Sequence, residues 1–285
     1  MAKPKSQDNS IFTILLCLIV LVLYYMFLKP VLKVEIMSNV ESFAKFQKQK
    51  YIMMIVLFML LFLIHMAVNL MGFQNKCGGS MSNNLGKVFI STFVPWLLIF
   101  GALMLVLIIF PGFKGAFSNV IGYYAVYSAS NKILIKLLGN AQVDRPLEDV
   151  QDSESEKANL LEKASDAVLK LVGNTSIMIN QFTPENFEDM WNMMIPVMKP
   201  EMRGVANAPL KSELLEQVIL RDNIGECCWY LYTFLLLMVI VKTMLMKQEC
   251  VTTLSDLKEK EGDYDKQQRG KDEQENKDKS VVYKG

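Results

Sequence analysis

Residues 11–28 read IFTILLCLIVLVLYYMFL, and no charge interrupts them. An α-helix rises ~1.5 Å per residue, so ~20 such residues cross the ~30 Å hydrocarbon core of a bilayer. Three more stretches have the same character: 51–71 (YIMMIVLFMLLFLIHMAVNLM), 88–110 (VFISTFVPWLLIFGALMLVLIIF) and 227–246 (CCWYLYTFLLLMVIVKTMLM). A helix buried in a soluble protein rarely stays apolar on every face for so long. These runs predict an all-α integral membrane protein with four transmembrane helices, a small helical extramembrane domain and a disordered charged C-terminal tail.

The first run is read as an anchor and not as a cleaved leader. Residues 1–10 form an N-terminal tail with Lys3 and Lys5, as a secretory signal would have. But a signal core spans ~7–15 residues and ends at a small-x-small site. Here the run is longer, and Tyr24, Tyr25 and Phe27 stand where cleavage would fall.

Between the spans the character changes sharply. Residues 29–50 are a basic amphipathic connector with Lys29, Lys33, Lys45, Lys48 and Lys50. Ser38-x-x-Glu41 fits a capping box, so one long helix is expected from about Val40 through Met71. Residues 72–87, GFQNKCGGSMSNNLGK, carry the Gly, Asn and Ser of a flexible loop. In the span at 88–110, Pro95 removes one backbone donor, which predicts a kink or a helix start there. Residues 111–139 are too polar for a confident span and read as an interfacial amphipathic helix or a re-entrant segment.

Residues 140–226 read as a helical soluble domain. A helix carrying Leu161, Ala164, Val168, Leu171 and Val172 is expected, with Gly173 ending it. Thr183-Pro184-Glu185 signals a second helix start, followed by Phe187, Met190, Trp191 and Met194 on one face. Leu214, Leu215, Val218 and Ile219 belong to a third helix that leads into the span at 227–246. Residues 247–285 are dominated by Lys, Glu, Asp and Gln, which cannot bury enough apolar surface to offset chain ordering.

The most basic short connector, 29–50, is placed on the cytosolic side by the positive-inside rule. The N-terminus and the 72–87 loop then face the opposite side, the 140–226 domain faces the cytosol, and the tail emerges opposite it. A crossing by 119–138 would exchange the sides of domain and tail.

Composition narrows the chemistry. With 30 basic and 29 acidic residues there is no basic excess for a nucleic acid. One histidine, His65, and five cysteines without a C-x-x-C pair make a zinc site unexpected. The cysteines do not resemble a secreted disulfide framework. Cys227 and Cys228, at the mouth of the last span, are either S-acylation sites or small hydrophobes at a helix end. No phosphate-binding loop, dinucleotide fingerprint, nucleophile elbow or calcium loop is present, so no catalytic, cofactor-binding or metal-ligating residue is assigned and no enzyme is expected.

Three polar side chains lie within spans. His65 and Asn69 share one face of the second span, and such groups in hydrocarbon are costly and often functional. A small ion channel or transporter using them is the alternative reading; interhelical hydrogen bonding is the simpler one. Lys242 is read as snorkelling to the interface. The sequon Asn174-Thr175-Ser176 falls on the side assigned to the cytosol and is discounted.

Two stretches carry a family resemblance. Phe93-Val94-Pro95-Trp96-Leu97-Leu98-Ile99-Phe100-Gly101, continuing to Phe110-Pro111-Gly112-Phe113-Lys114 and Phe117-Ser118-Asn119, resembles membrane proteins of large icosahedral double-stranded-DNA viruses, the chlorovirus-like and mimivirus-like group. Phe182-Thr183-Pro184-Glu185-Asn186-Phe187, followed by Trp191, is similar to a downstream soluble helix of the same proteins. The resemblance covers residues 85–195. It implies a structural virion protein of the internal membrane, linking the bilayer to the capsid shell. The expected partners are the lipid bilayer, capsid or other virion proteins and, in a homo-oligomer, further copies of the chain. No cofactor is implied. Phe182, Phe187, Met190, Trp191 and Met194 are the candidate interaction residues.

Overall fold

The computed structural model describes residues 10–77, 81–138, 175–204, 207–250, 258 and 261–270. Among these the chain is helical, with no strand and a single isolated bridge between Leu138 and Met198. Helix α1 is Ser10–Leu28, followed by the short α2, Val34–Met37, and the long α3, Val40–Cys77. Helix α4 runs Met81–Pro95, widens into a π turn at Trp96–Gly101 and continues as Ala102–Ile109. A 3₁₀ turn at Pro111–Lys114, a short helix at Gly115–Phe117 and a π turn at Ser118–Gly122 lead into α5, Tyr123–Leu137. Then come α6 (Thr175–Gln181), α7 (Phe187–Met194) and α8 (Ala208–Lys247).

Among the described residues, four helices are long and apolar enough to cross a bilayer: α1, α3, Asn84–Ile109 of α4, and α8. Their outward faces are apolar and exposed, as at Ile19, Phe27, Ile55, Leu98 and Val239. An aqueous protein does not leave so continuous an apolar surface to water. Inside the bundle, Leu21, Tyr24, Leu57, Leu61, Trp96, Phe100, Phe234 and Leu237 form one buried cluster. The protein is therefore a multi-pass membrane protein.

Several local expectations change. Helix α3 is capped by Asn39, whose Oδ1 accepts from the Ser42 amide at 3.0 Å, and not by Ser38, whose hydroxyl donates back to the carbonyls of Val34 and Glu35. Pro95 does not start α4. The helix begins at Met81 and passes Pro95 into a π turn, a wider turn that accommodates the missing amide. The Gly- and Asn-rich 72–87 segment is helical at 72–77 and 81–87, because α3 and α4 both extend beyond their apolar runs.

The segment 111–138 is not among the helices long and apolar enough to cross a bilayer. It packs on the first half of α8 and belongs to the extramembrane domain. The domain core joins Val126, Leu134 and Leu137 of α5 to Phe182, Phe187, Trp191, Leu214 and Val218. Helix α8 holds domain and last span on one 40-residue rod, about 60 Å long at ~1.5 Å per residue. The expected helix over 161–172 lies outside the described residues. In the tail, residues 261–270 are helical and exposed throughout.

Candidate functional site

The charged residues that flank the spans meet in one layer between bundle and domain. Lys29, just after α1, reaches Glu226 of α8 at 2.8 Å, and the Tyr25 hydroxyl donates to the same carboxylate oxygen at 3.0 Å. Four residues earlier on α8, one helical turn away, Asp222 accepts from Lys114 at 2.6 Å. Lys114 also lies 3.6 Å from Glu185, which Lys50 of α3 approaches at 3.8 Å. The layer therefore joins the ends of α1 and α4 and the Lys50 position within α3 to α8 and to the turn before α7.

Burial makes this layer consequential. Lys114, Asp222 and Glu226 are all buried. A buried ion without its partner costs several kcal/mol, so each charge depends on its neighbours. Desolvation by itself would lower the Lys114 pKa. The carboxylates of Asp222, Glu185 and Glu226 outweigh it and hold the ammonium above its ordinary lysine value. Arg221, also buried, donates to the carbonyls of Ile179 and Phe182 and to Asn180 Oδ1, tying the C-terminal end of α6 to α8.

Two glycines let this junction close. A Cβ at Gly122 would stand 2.5 Å from the Arg221 carbonyl oxygen, and one at Gly225 would stand 2.6 Å from Ser118 Cβ. The 114–122 segment and α8 thus touch backbone to backbone, bringing Lys114 to Asp222. A small open pocket beside them is lined by Lys29, Gln47, Lys50, Glu185, Asp222 and Asn223.

The intramembrane polar residues serve helix contacts. His65 is fully buried, and its Nδ1 accepts from Trp96 Nε1 at 2.7 Å, joining α3 to α4; its ring also packs on Phe234 of α8. Asn69 donates to Thr92 Oγ1 at 3.5 Å across the same helix pair. Lys242 reaches Ser10 Oγ at 3.2 Å, at the far end of the bundle.

The candidate interaction residues are elsewhere than a partner would need them. Phe182, Phe187, Trp191 and Met194 are buried and the half-buried Met190 packs against them, so these side chains build the domain core. Their helical spacing signalled an apolar face, and that face is turned inward. The cysteines form a single disulfide, Cys77–Cys250, while Cys17, Cys227 and Cys228 are free. Among the described residues, no group of three His, Cys, Asp or Glu side chains is placed to hold a metal ion.

The sequence reading missed the ion layer and the glycine crossing. The signal available was that Lys29, Lys50, Lys114 and Glu226 each stand within a few residues of an apolar run. Which cation meets which carboxylate is set by helix packing over separations as long as 197 residues. Fold and site together define a four-span α-helical membrane protein with a helical domain clamped to one end of its bundle. The chain matches no protein-family model, no curated protein sequence and no solved structure.

Proposed function

We propose that this protein is a structural component of a virion, a multi-pass anchor that links the internal bilayer to the capsid shell without catalysing a reaction. The observation that carries the reading is the rigid coupling of domain to bundle. One helix, α8, runs through both, and the ion layer locks α1, α3 and α4 to it at the junction. A linker between a bilayer and a protein shell has to transmit position, which a domain on a loose tether does not do.

Parts of the stretches that resemble the viral membrane proteins lie at this junction, while Phe93–Gly101 lies within the third span. Phe110–Asn119 supplies Lys114, which pairs with Asp222, and Ser118, which packs on Gly225. The Phe182–Trp191 stretch supplies Glu185 and the carbonyl of Phe182 that receives Arg221. The partner surface then falls on exposed domain residues such as Tyr124, Ile135 and Met193, or on the tail.

Mass spectrometry of purified virions tests the reading. The chain is expected among the virion proteins, with cross-links from domain lysines such as Lys132, Lys136 or Lys199 to a capsid protein. Its absence at a sensitivity that detects minor capsid components would overturn the proposal.

A further inference from the structure

At the end of the bundle away from the ion layer, the last turn of α8 is held by the two helices beside it. Lys76 of α3 donates to the carbonyls of Leu245, Met246 and Gln248 at 3.2, 2.8 and 2.9 Å. Lys87 of α4 donates to the Glu249 carbonyl at 3.0 Å, and Gln248 Nε2 donates to Ser91 at 2.6 Å. The final carbonyls of a helix have no intrahelical partner, so cations from neighbouring helices cap it. Beneath them Phe73, Val88, Val241 and Leu245 form a small apolar cluster. Cys250 follows directly, with its Cα 5.2 Å from that of Cys77 and the two sulfurs bonded. These polar contacts hold Cys250 near Cys77 without needing the bond itself, which raises the effective concentration of one thiol at the other.

We infer that Cys77–Cys250 is a covalent clamp made on the face of the bilayer opposite the helical domain, that this face is the oxidising one, and that the root of the tail is thereby fixed to α3. Two independent arguments meet here. Disulfides form and persist in oxidising compartments. The free basic residues of the short connector, Lys33, Lys45 and Lys48, stand at the other end of the bundle, where the positive-inside rule places the cytosol. On the disulfide side, Lys76 and Lys87 are engaged with the carbonyls of the α8 terminus. Lys3, Lys5 and Lys247 also flank the spans there in sequence, so the disulfide is the stronger of the two arguments.

The chemistry is thiol–disulfide exchange. The thiolate of one cysteine attacks the disulfide of a dithiol–disulfide oxidoreductase and forms a mixed disulfide. The second thiolate then displaces the oxidoreductase sulfur. Two protons leave the chain, two electrons pass to the oxidoreductase, and its disulfide becomes two thiols. The inference does not rest on the virion reading and holds for any membrane that has one oxidising face.

The test uses the full chain made in microsomal membranes. After denaturation without reductant, a maleimide–polyethylene glycol reagent is expected to label Cys17, Cys227 and Cys228 only, and after reduction all five cysteines. Cys77→Ser and Cys250→Ser are each expected to expose one additional thiol before reduction. Sidedness is read by glycosylation: Asp278→Ser creates a sequon at Asn276, which is expected to be modified, while the native sequon at Asn174 is not. Labelling of all five cysteines without reductant overturns the clamp. A glycan on Asn174, or none on Asn276, overturns the orientation.

Discussion

Lys29 Nζ and Glu226 Oε1 lie 2.8 Å apart, joining the end of the first span to the threshold of the last across 197 residues. Both side chains are largely withdrawn from solvent, 10% and 3% exposed. Removing one partner strands a buried charge, which typically costs about 3–5 kcal/mol, whereas replacing both by apolar groups is often neutral. Glu226→Ala is therefore expected to lower the thermal unfolding midpoint in detergent strongly. The double variant Lys29→Met, Glu226→Leu is expected to recover most of the loss. A double variant as unstable as the single one would show that the pair matters through something other than charge compensation.

The glycine crossing makes a second prediction with its own control. Gly225→Ala puts a methyl 2.6 Å from Ser118 Cβ and 2.8 Å from the Ser118 amide nitrogen, and Gly122→Ala puts one 2.5 Å from a backbone oxygen. Backbone cannot step aside as a flexible side chain can, and overpacking of this kind costs about 1–3 kcal/mol or more. Gly72, within α3, has nothing within 4 Å of its Cβ position. Gly72→Ala is expected to be neutral, or to stabilise by up to about 1 kcal/mol through helix propensity. Thermal unfolding of the three variants side by side decides the matter.

Much of this architecture was legible because hydrocarbon imposes a length. The four apolar runs match the four long helices, and α3 starts at Val40 as its flanking residues indicated. Boundaries outside the bilayer were less legible, since no comparable constraint acts there. The Gly- and Asn-rich 72–87 segment has loop composition, yet α3 reaches Cys77 because Lys76 is engaged with the end of α8. Tertiary contact overrode propensity. Residues 111–138 were ambiguous because Tyr123, Tyr124, Lys132 and Lys136 suit a membrane interface as well as a domain surface. The fit of Gly122 against Arg221, which packs the segment on α8, depends on tertiary contact and not on composition. The face of Phe187, Trp191 and Met194 was correctly seen as apolar, but periodicity does not say whether an apolar face meets a partner or its own fold.

His65 and Trp96 make the third prediction. His65 Nδ1 accepts the indole N–H at 2.7 Å in a fully buried setting, so His65→Leu leaves that donor without an acceptor. Interhelical hydrogen bonds in membranes average about 0.6 kcal/mol and reach about 1.7. The expected loss is therefore about 0.5–2 kcal/mol, and Trp96→Phe is expected to lose less when His65→Leu is already present. A double-mutant cycle on unfolding midpoints measures this coupling. Strictly additive losses would mean that the bond contributes nothing and that the two rings matter only as packing.

Trp191 separates a core role from a binding role. Its side chain is 3% exposed, stacks with Phe187 at 6.1 Å and has the Lys211 ammonium 5.7 Å over its ring. Truncating so large a buried aromatic costs about 3–5 kcal/mol in transfer and cavity terms. A small domain has little stability in reserve. Trp191→Ala is expected to open the domain to limited proteolysis between α5 and α8 while the spans remain inserted. On the same helix Met193 is 54% exposed, and Met193→Ala should change stability by no more than about 0.5 kcal/mol. If Trp191→Ala left the protease pattern unchanged, the domain would not depend on the core described above. The apolar face of α7 would then again be open to a partner. If the pattern changes for Trp191 and not for Met193, loss of a capsid cross-link in Trp191→Ala reports unfolding, and only the exposed positions remain as probes of binding.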